Sequence, residues 1–197
     1  MKALYKGGEF MAIDKETALR APANGRVIAL NKTSDTVFSK GTMGQGFGLI
    51  PSDGHVVAPV SGTISMIADT KHAIGITDKD GLEILVHMGV DTVGLKGKPF
   101  TIAIKNGQKV KAGEPIATMD LNFIKEKKLD TTVMVVITNS HEKVDGLDAT
   151  EGEAKAGTVV AHAYLKTGKE DTSDKKLSYD DLATFIIKNV GGKKNIK

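Results

Sequence analysis

The stretch from Asp69 to Asp91, DTKHAIGITDKDGLEILVHMGVD, constrains the fold most. Ala73 to Thr77 and Leu82 to Val86 are rich in apolar and β-branched residues, which is strand composition. Asp78-Lys79-Asp80-Gly81 between them is turn chemistry, with Gly81 free to take positive φ. The pattern predicts a β-hairpin. With Thr77 opposite Leu82, Ile76 faces Glu83, Ile74 faces Leu85 and His72 faces His87. Directly opposed residues hold their Cβ atoms ~4.5–5.5 Å apart on one face of a sheet. That register sets two imidazoles side by side, and a slip of one residue would send them to opposite faces.

Other turn-bounded short strands surround this hairpin. Ala21-Pro22-Ala23-Asn24-Gly25-Arg26-Val27 and Ala58-Pro59-Val60-Ser61-Gly62-Thr63-Ile64 share the pattern A-P-x-x-G-x-[VI]. Proline presets an extended entry and glycine allows the tight turn. Two copies, each leading into β-branched residues, predict an internal pseudo-repeat of two related motifs packed face to face. Gly107 to Ile116 has the spacing of a tight β-turn unit, with Val110 and Ile116 facing inward. Leu121 to Lys128 reads as a short helix capped by Asp120, and Thr131–Thr138 and Gly157–Leu165 as strands. The glycines at 41, 44, 46 and 48 look at first like a phosphate-cradling loop, but no Lys-Ser/Thr and no helix pattern follows. A glycine-bent segment with close backbone approach fits better. The expected class is all-β, an antiparallel sandwich or barrel-like fold with short helices.

Composition bounds the rest. With no cysteine, disulfides, thiolate metal sites and thiol catalysis are excluded. No run of 18 apolar residues and no signal-peptide core occurs, so the chain reads as cytoplasmic and not membrane-spanning. Residues 166–197 carry eight lysines and five acidic residues, so the overall charge of +3 belongs to the tail and residues 1–165 are neutral. A neutral main domain does not suit nucleic acid. Residues 1–16 read as a leader, either native or in part a tag remnant with Met11 as the natural start. Residues 17–165 form the β domain and 166–177 a charged linker. Residues 178–197 open with a helix, Ser178 to Val190, whose stripe of Leu182, Phe185, Ile186 and Val190 needs a surface to pack on.

Five histidines are present. His55 and His141 sit in loop contexts and His162 in the last strand, where packing alone explains it. His72 and His87 differ because they are predicted to face each other. Such a pair resists double protonation, so at least one ring is neutral near pH 7 and keeps a lone pair. Three chemistries compete: a phosphoryl acceptor with a helper, a zinc site, and paired acid–base residues. Catalytic zinc normally takes three protein ligands, and neither H-x-H nor HExxH accompanies these two. Phosphoryl transfer needs only an in-line nucleophile and donors for the equatorial oxygens. Thr70 is placed to orient His72, Gly89 to remove bulk beside His87, and Asp91 to add a carboxylate at the rim.

Thr70-x-His72-Ala73, followed by Leu85-Val86-His87-Met88-Gly89-Val90-Asp91-Thr92-Val93-x-Leu95-x-Gly97, resembles the glucose-type enzyme IIA domain of the bacterial phosphoenolpyruvate:sugar phosphotransferase system. The resemblance spans about residues 17–165, both A-P-x-x-G turns, Asp35-x-Val37-Phe38 and Gly107-x-x-Val110-x-x-Gly113 included. It implies a phosphate-relaying β-sandwich that needs no cofactor. His87 matches the phosphorylated histidine, attacking through Nε2; His72 matches the stabilising histidine and Thr70 its hydrogen-bond partner. Asp35 and Asp91 match an acidic rim for the phosphocarrier HPr, and Val37, Phe38, Met43, Leu85 and Met88 an apolar docking patch. Leu85, Met88 and Ala68 stand where the family commonly has aromatics. No metal is required, although His72 and His87 could bind zinc with a partner carboxylate. Tyr179 to Ile196 resembles the start of an enzyme IIB domain, truncated before its cysteine, which implies IIB and membrane IIC partners. Two other readings of the residues are a biotinyl- or lipoyl-type carrier displaying Lys79, and a zinc metallopeptidase of glycine-rich β fold.

Overall fold

The computed structural model describes residues 2–6, 9–13 and 15–166. The linker beyond residue 166 and the helix expected over 178–190 lie outside the described residues. Among the described residues, strands β1 (Lys2–Lys6) and β2 (Glu9–Ile13) pair only with each other. The domain is built from β3 (Glu16–Arg20), β4 (Gly25–Ala29), β5 (Gln45–Pro51), β6 (His55–Val57), β7 (Gly62–Ile67), β8 (Ala73–Thr77), β9 (Glu83–Met88) and β10 (Phe100–Ile102). It continues through β11 (Lys109–Val110), β12 (Pro115–Met119), β13 (Val133–Ile137), β14 (Val144–Ala149), β15 (Gly152–Ala154) and β16 (Val159–Leu165). Helices are short: α1 (Thr36–Ser39), α2 (Leu121–Glu126) and α3 (Ser140–Lys143). Asp120 caps α2 as its sequence predicts, its Oδ1 accepting the Phe123 N–H at 2.9 Å.

One eight-stranded antiparallel sheet runs β11-β7-β8-β9-β13-β5-β4-β15. Two three-stranded sheets, β10-β12-β6 and β14-β16-β3, cover the two halves of its one face. The order reads alike from either edge inward, and so do the turns. Ala21 N–H donates to the Thr158 carbonyl and Ala58 N–H to that of Glu114, at 2.8 and 2.9 Å; Gly157 N–H returns to Ala21 and Gly113 N–H to Ala58. Each A-P-x-x-G turn thus plugs into a Lys-Ala-Gly turn, at 155–157 and at 111–113. The pseudo-repeat is therefore present, but its halves lie side by side in one sheet through the β9–β13 pairing. The faces that oppose each other belong to the large sheet and the two small ones.

Alternation along the central strands separates two environments. Ile84, Val86 and Met88 of β9, with Val133, Val135 and Ile137 of β13, point into the sandwich cores. Leu85 and His87, with Met134 and Val136, turn to the other face, where they meet Leu30, Phe38 and Val90. Glycine makes room for this arrangement: a Cβ on Gly46 of β5 would stand 2.0 Å from the Val135 carbonyl oxygen. The glycine-rich stretch is thus a strand packed backbone to backbone, and not a phosphate loop.

The hairpin forms, but not in the expected register. Asp78 opposes Leu82, its N–H bonding the Leu82 carbonyl at 3.0 Å, and Thr77 opposes Glu83. The cause is the Asp78 side chain, whose Oδ1 accepts the N–H groups of Asp80 and Leu82 at 2.8 and 2.9 Å. That closes a three-residue loop, with Gly81 at φ +77°. Every pairing moves by one, so His87 opposes Ala73.

Candidate functional site

His87 is the fifth residue of β9 and faces the side of the sheet closed by α1. His72 stands just before β8, after Lys71, which takes a left-handed φ of +56°. Its carbonyl still accepts the Met88 N–H at 2.7 Å. A regular pleat in the observed register would turn His72 away from His87. The residue lies outside the strand, where that alternation does not bind it, and Thr70 Oγ1 sits 2.6 Å from His72 Nδ1. The two imidazoles therefore meet edge to face, centroids 4.9 Å apart at 77°. The juxtaposition follows from the turn before β8 and not from cross-strand opposition.

Phe38 closes the other side of His87, ring centroids 4.9 Å apart and tilted by 55°. It is held by α1, whose cap is Asp35: Oδ1 accepts the N–H groups of Val37 and Phe38 at 2.8 and 3.2 Å. Behind His87 the chain turns sharply, with Gly89 at φ +78° and Asp91 at +57°. A Cβ on Gly89 would strike Thr92 Cγ2 at 2.5 Å, so this glycine serves the turn and its packing. Thr92 Oγ1 donates to the Met88 carbonyl at 2.8 Å.

Electrostatics follow from this enclosure. Burial pushes His87 down to about 4, and the nearby His72 pushes in the same direction; the Gly89 backbone, Asp35 and Asp91 act against both. His87 Nδ1 is buried and makes no hydrogen bond of ordinary geometry, although the Gly89 backbone still favours the protonated ring. Burial also lowers the pKa of His72. Both rings are neutral at pH 7. Nδ1 of His87 is thus the ring nitrogen that solvent does not reach.

The expected partner-facing residues divide. Val37 and Met43 are 48% and 37% exposed. Leu85 is half-buried against Phe38, Val90, Met134 and Val136. Phe38 is only 5% exposed and lies under the surface as the wall of His87. Met88 does not belong to a docking patch: it is fully buried in the sandwich core, because neighbours in a strand point to opposite faces. Among the described residues no group of three or more His, Cys, Asp or Glu side chains is gathered as a metal site. His55 and His141 are exposed, and His162 lies 3.7 Å from Glu16. Lys79, in the hairpin loop, has its Nζ 2.6 Å from the Asp80 carboxylate. Sequence reasoning passed over Asp130 and Ser34, which meet beside the site at 2.5 Å; no motif marks either.

The family profile described as phosphoenolpyruvate-dependent sugar phosphotransferase system, EIIA 1, matches residues 17–143. The chain belongs to this family. It is a phosphoryl-carrying component of that system, of EIIA type. A glucose-specific EIIA component from Halalkalibacterium halodurans is 40% identical over 158 residues, 80% of this chain and 89% of that protein. A glucose-specific EIICBA component from Streptococcus pneumoniae is 47% identical over 144 residues, 73% of this chain and 20% of that protein. The EIIA chain thus spans about a fifth of the length of that fused relative. The solved glucose permease IIA from Mycoplasma capricolum is 35% identical with a TM-score of 0.69, covering 77% of this chain and 98% of its own. Among the described residues no helix is long and apolar enough to cross a membrane.

Proposed function

We propose that His87 is the phosphoryl acceptor of this EIIA domain, that phospho-HPr is its donor, and that a IIB cysteine is the next acceptor. The observation that supports this most is the enclosed, neutral imidazole of His87 with Nδ1 turned inward. In the transfer, the N–P bond of the donor breaks as the lone pair on His87 Nε2 forms a new N–P bond in line. The ring is left as a phosphoimidazolium with its proton on Nδ1, where the Gly89 backbone favours positive charge. His72 stands beside it as the stabiliser. In the tautomer this role requires, Thr70 donates a hydrogen bond to His72 Nδ1 across the 2.6 Å contact, and the ring proton sits on Nε2 for a phosphoryl oxygen. Asp35 and Asp91 form an acidic rim suited to a basic donor surface, with Val37, Met43 and Leu85 as apolar contacts. The fused architecture named for EIICBA relatives supports IIB and IIC as partners, encoded in the same polypeptide or apart from it.

The test is incubation with phosphoenolpyruvate, enzyme I and HPr, followed by intact-mass measurement. The expected result is one acid-labile phosphoryl group, lost in His87→Ala. A modification that survives His87→Ala, or none on the unaltered protein, refutes the proposal. His72→Gln should still accept phosphate but pass it to IIB more slowly.

A further inference from the structure

Besides His72, two segments flank His87: the loop that follows it, Gly89 to Asp91, and α1, with Asp35 and Phe38. The loop is pinned from behind by the approach to β13: Val90 N–H donates to the Asp130 carbonyl at 2.9 Å and Gly89 N–H to the Thr132 carbonyl at 3.0 Å. The Asp130 carboxylate fastens this approach, Oδ1 accepting the Thr132 N–H and hydroxyl at 2.8 and 2.6 Å. Its other oxygen, Oδ2, accepts the Ser34 hydroxyl at 2.5 Å. Ser34 is the residue before the α1 cap.

That hydrogen bond stands alone in its role. The others made by residues 33–43 close within residues 30–44: Thr33 to Leu30, Ser39 and the α1 cap to Asp35, Gly41 to Phe38, Gly44 to Gly41. Among the described residues, Ser34 to Asp130 is the one that crosses from this segment to the rest of the domain. Burial works against the charge on Asp130, but its hydrogen bonds from Ser34 and Thr132 overcome it and hold the carboxyl below its ordinary range. The acceptor is thus ionised at neutral pH, and short contacts to an ionised acceptor are the strong kind.

We infer that Ser34 and Asp130 form a latch between these two flanking segments of the phosphoryl site and act as positioning residues for it. The inference rests on reading His87 as the acceptor. With the latch closed, Asp35 and Val37 are presented at a fixed place on the rim and Phe38 stays against the His87 ring. Neither latch residue touches a reacting atom. Its loss should therefore weaken productive engagement of the donor and leave the chemistry of the engaged complex nearly unchanged.

Ser34→Ala in the full chain tests this, since it removes one exposed hydroxyl and leaves Asp130 its Thr132 partners. The expected result is a weakened nuclear Overhauser contact between the Phe38 and His87 rings. With phospho-HPr as donor, KM should rise roughly tenfold and kcat stay within about twofold, the size expected from one charge-assisted hydrogen bond. Ser34→Thr keeps a hydroxyl and should restore both readouts. An unchanged ring contact and KM in Ser34→Ala, or a Ser34→Thr protein as impaired as Ser34→Ala, overturns the latch. If no phosphoryl group transfers even to the unaltered protein, the acceptor reading fails, and the ring contact still decides the latch.

Discussion

Acid should destabilise this domain through His87. Burial, helped by His72, holds the ring at about 4 against an ordinary value of 6.5. The unfolded chain takes up the proton near pH 6.5, while the native state refuses it until much lower. The stability is thus present in full above pH 6.5. It is lost as the pH falls through the window from 6.5 to 4, and the loss levels off below. A gap of about 2.5 pK units corresponds to roughly 3.4 kcal/mol, of which about 2.5 kcal/mol is gone by pH 4.5. His87→Gln has no such proton to refuse. Urea unfolding of both proteins at pH 7.5 and pH 4.5 isolates the difference: the unaltered domain should lose about 2.5 kcal/mol more than the variant. Equal losses, or a His87 titration by NMR near 6.5, would show that α1 and Phe38 do not enclose the ring as described.

Three substitutions probe other links. Gly46→Ala drives a Cβ to 2.0 Å from the Val135 carbonyl oxygen, so the β5–β13 pairing must open; a drop of more than about 3 kcal/mol in unfolding free energy, or failure to fold, is expected. Met88→Ala should cost about 2–5 kcal/mol as a core truncation, whereas Met43→Ala on the exposed rim should stay within about 0.5 kcal/mol, both by denaturant titration. Near-equal costs would mean that Met88 does not point into the sandwich core. Thr70→Val removes the 2.6 Å contact to His72 Nδ1; onward transfer to IIB should slow by roughly tenfold in stopped flow with stability little changed, and an unaffected rate would remove Thr70 from the site.

The sequence exposed the hairpin, the A-P-x-x-G turns, the α2 cap and the two histidines, because each is written in local residue chemistry. It did not expose the register. Asp78-Lys79-Asp80-Gly81 is compatible with four loop residues or three, and only the Asp78 carboxylate, by accepting from Asp80 and Leu82, selects three. The imidazoles nevertheless meet, since His72 sits beyond the strand and answers to Thr70 instead of the pleat. Met88 does not fit the docking patch that the resemblance implies, because His87 and Met88 are neighbours in a strand and point to opposite faces. The Ser34–Asp130 contact, 96 residues apart in the chain, leaves no pattern in either neighbourhood. Fold class was legible from turn-bounded strands; the pairing of the Lys-Ala-Gly turns with the Ala-Pro turns needed the assembled sheet.

Everything proposed for the site depends on which nitrogen of which histidine carries the phosphoryl group. The direct measurement is phosphorus–nitrogen correlation NMR on the uniformly 15N-labelled domain after phosphorylation by phosphoenolpyruvate, enzyme I and HPr. With Nδ1 of His87 buried, a single N–P coupling is expected, at His87 Nε2. A coupling at Nδ1 of His87, or at His72, would contradict it.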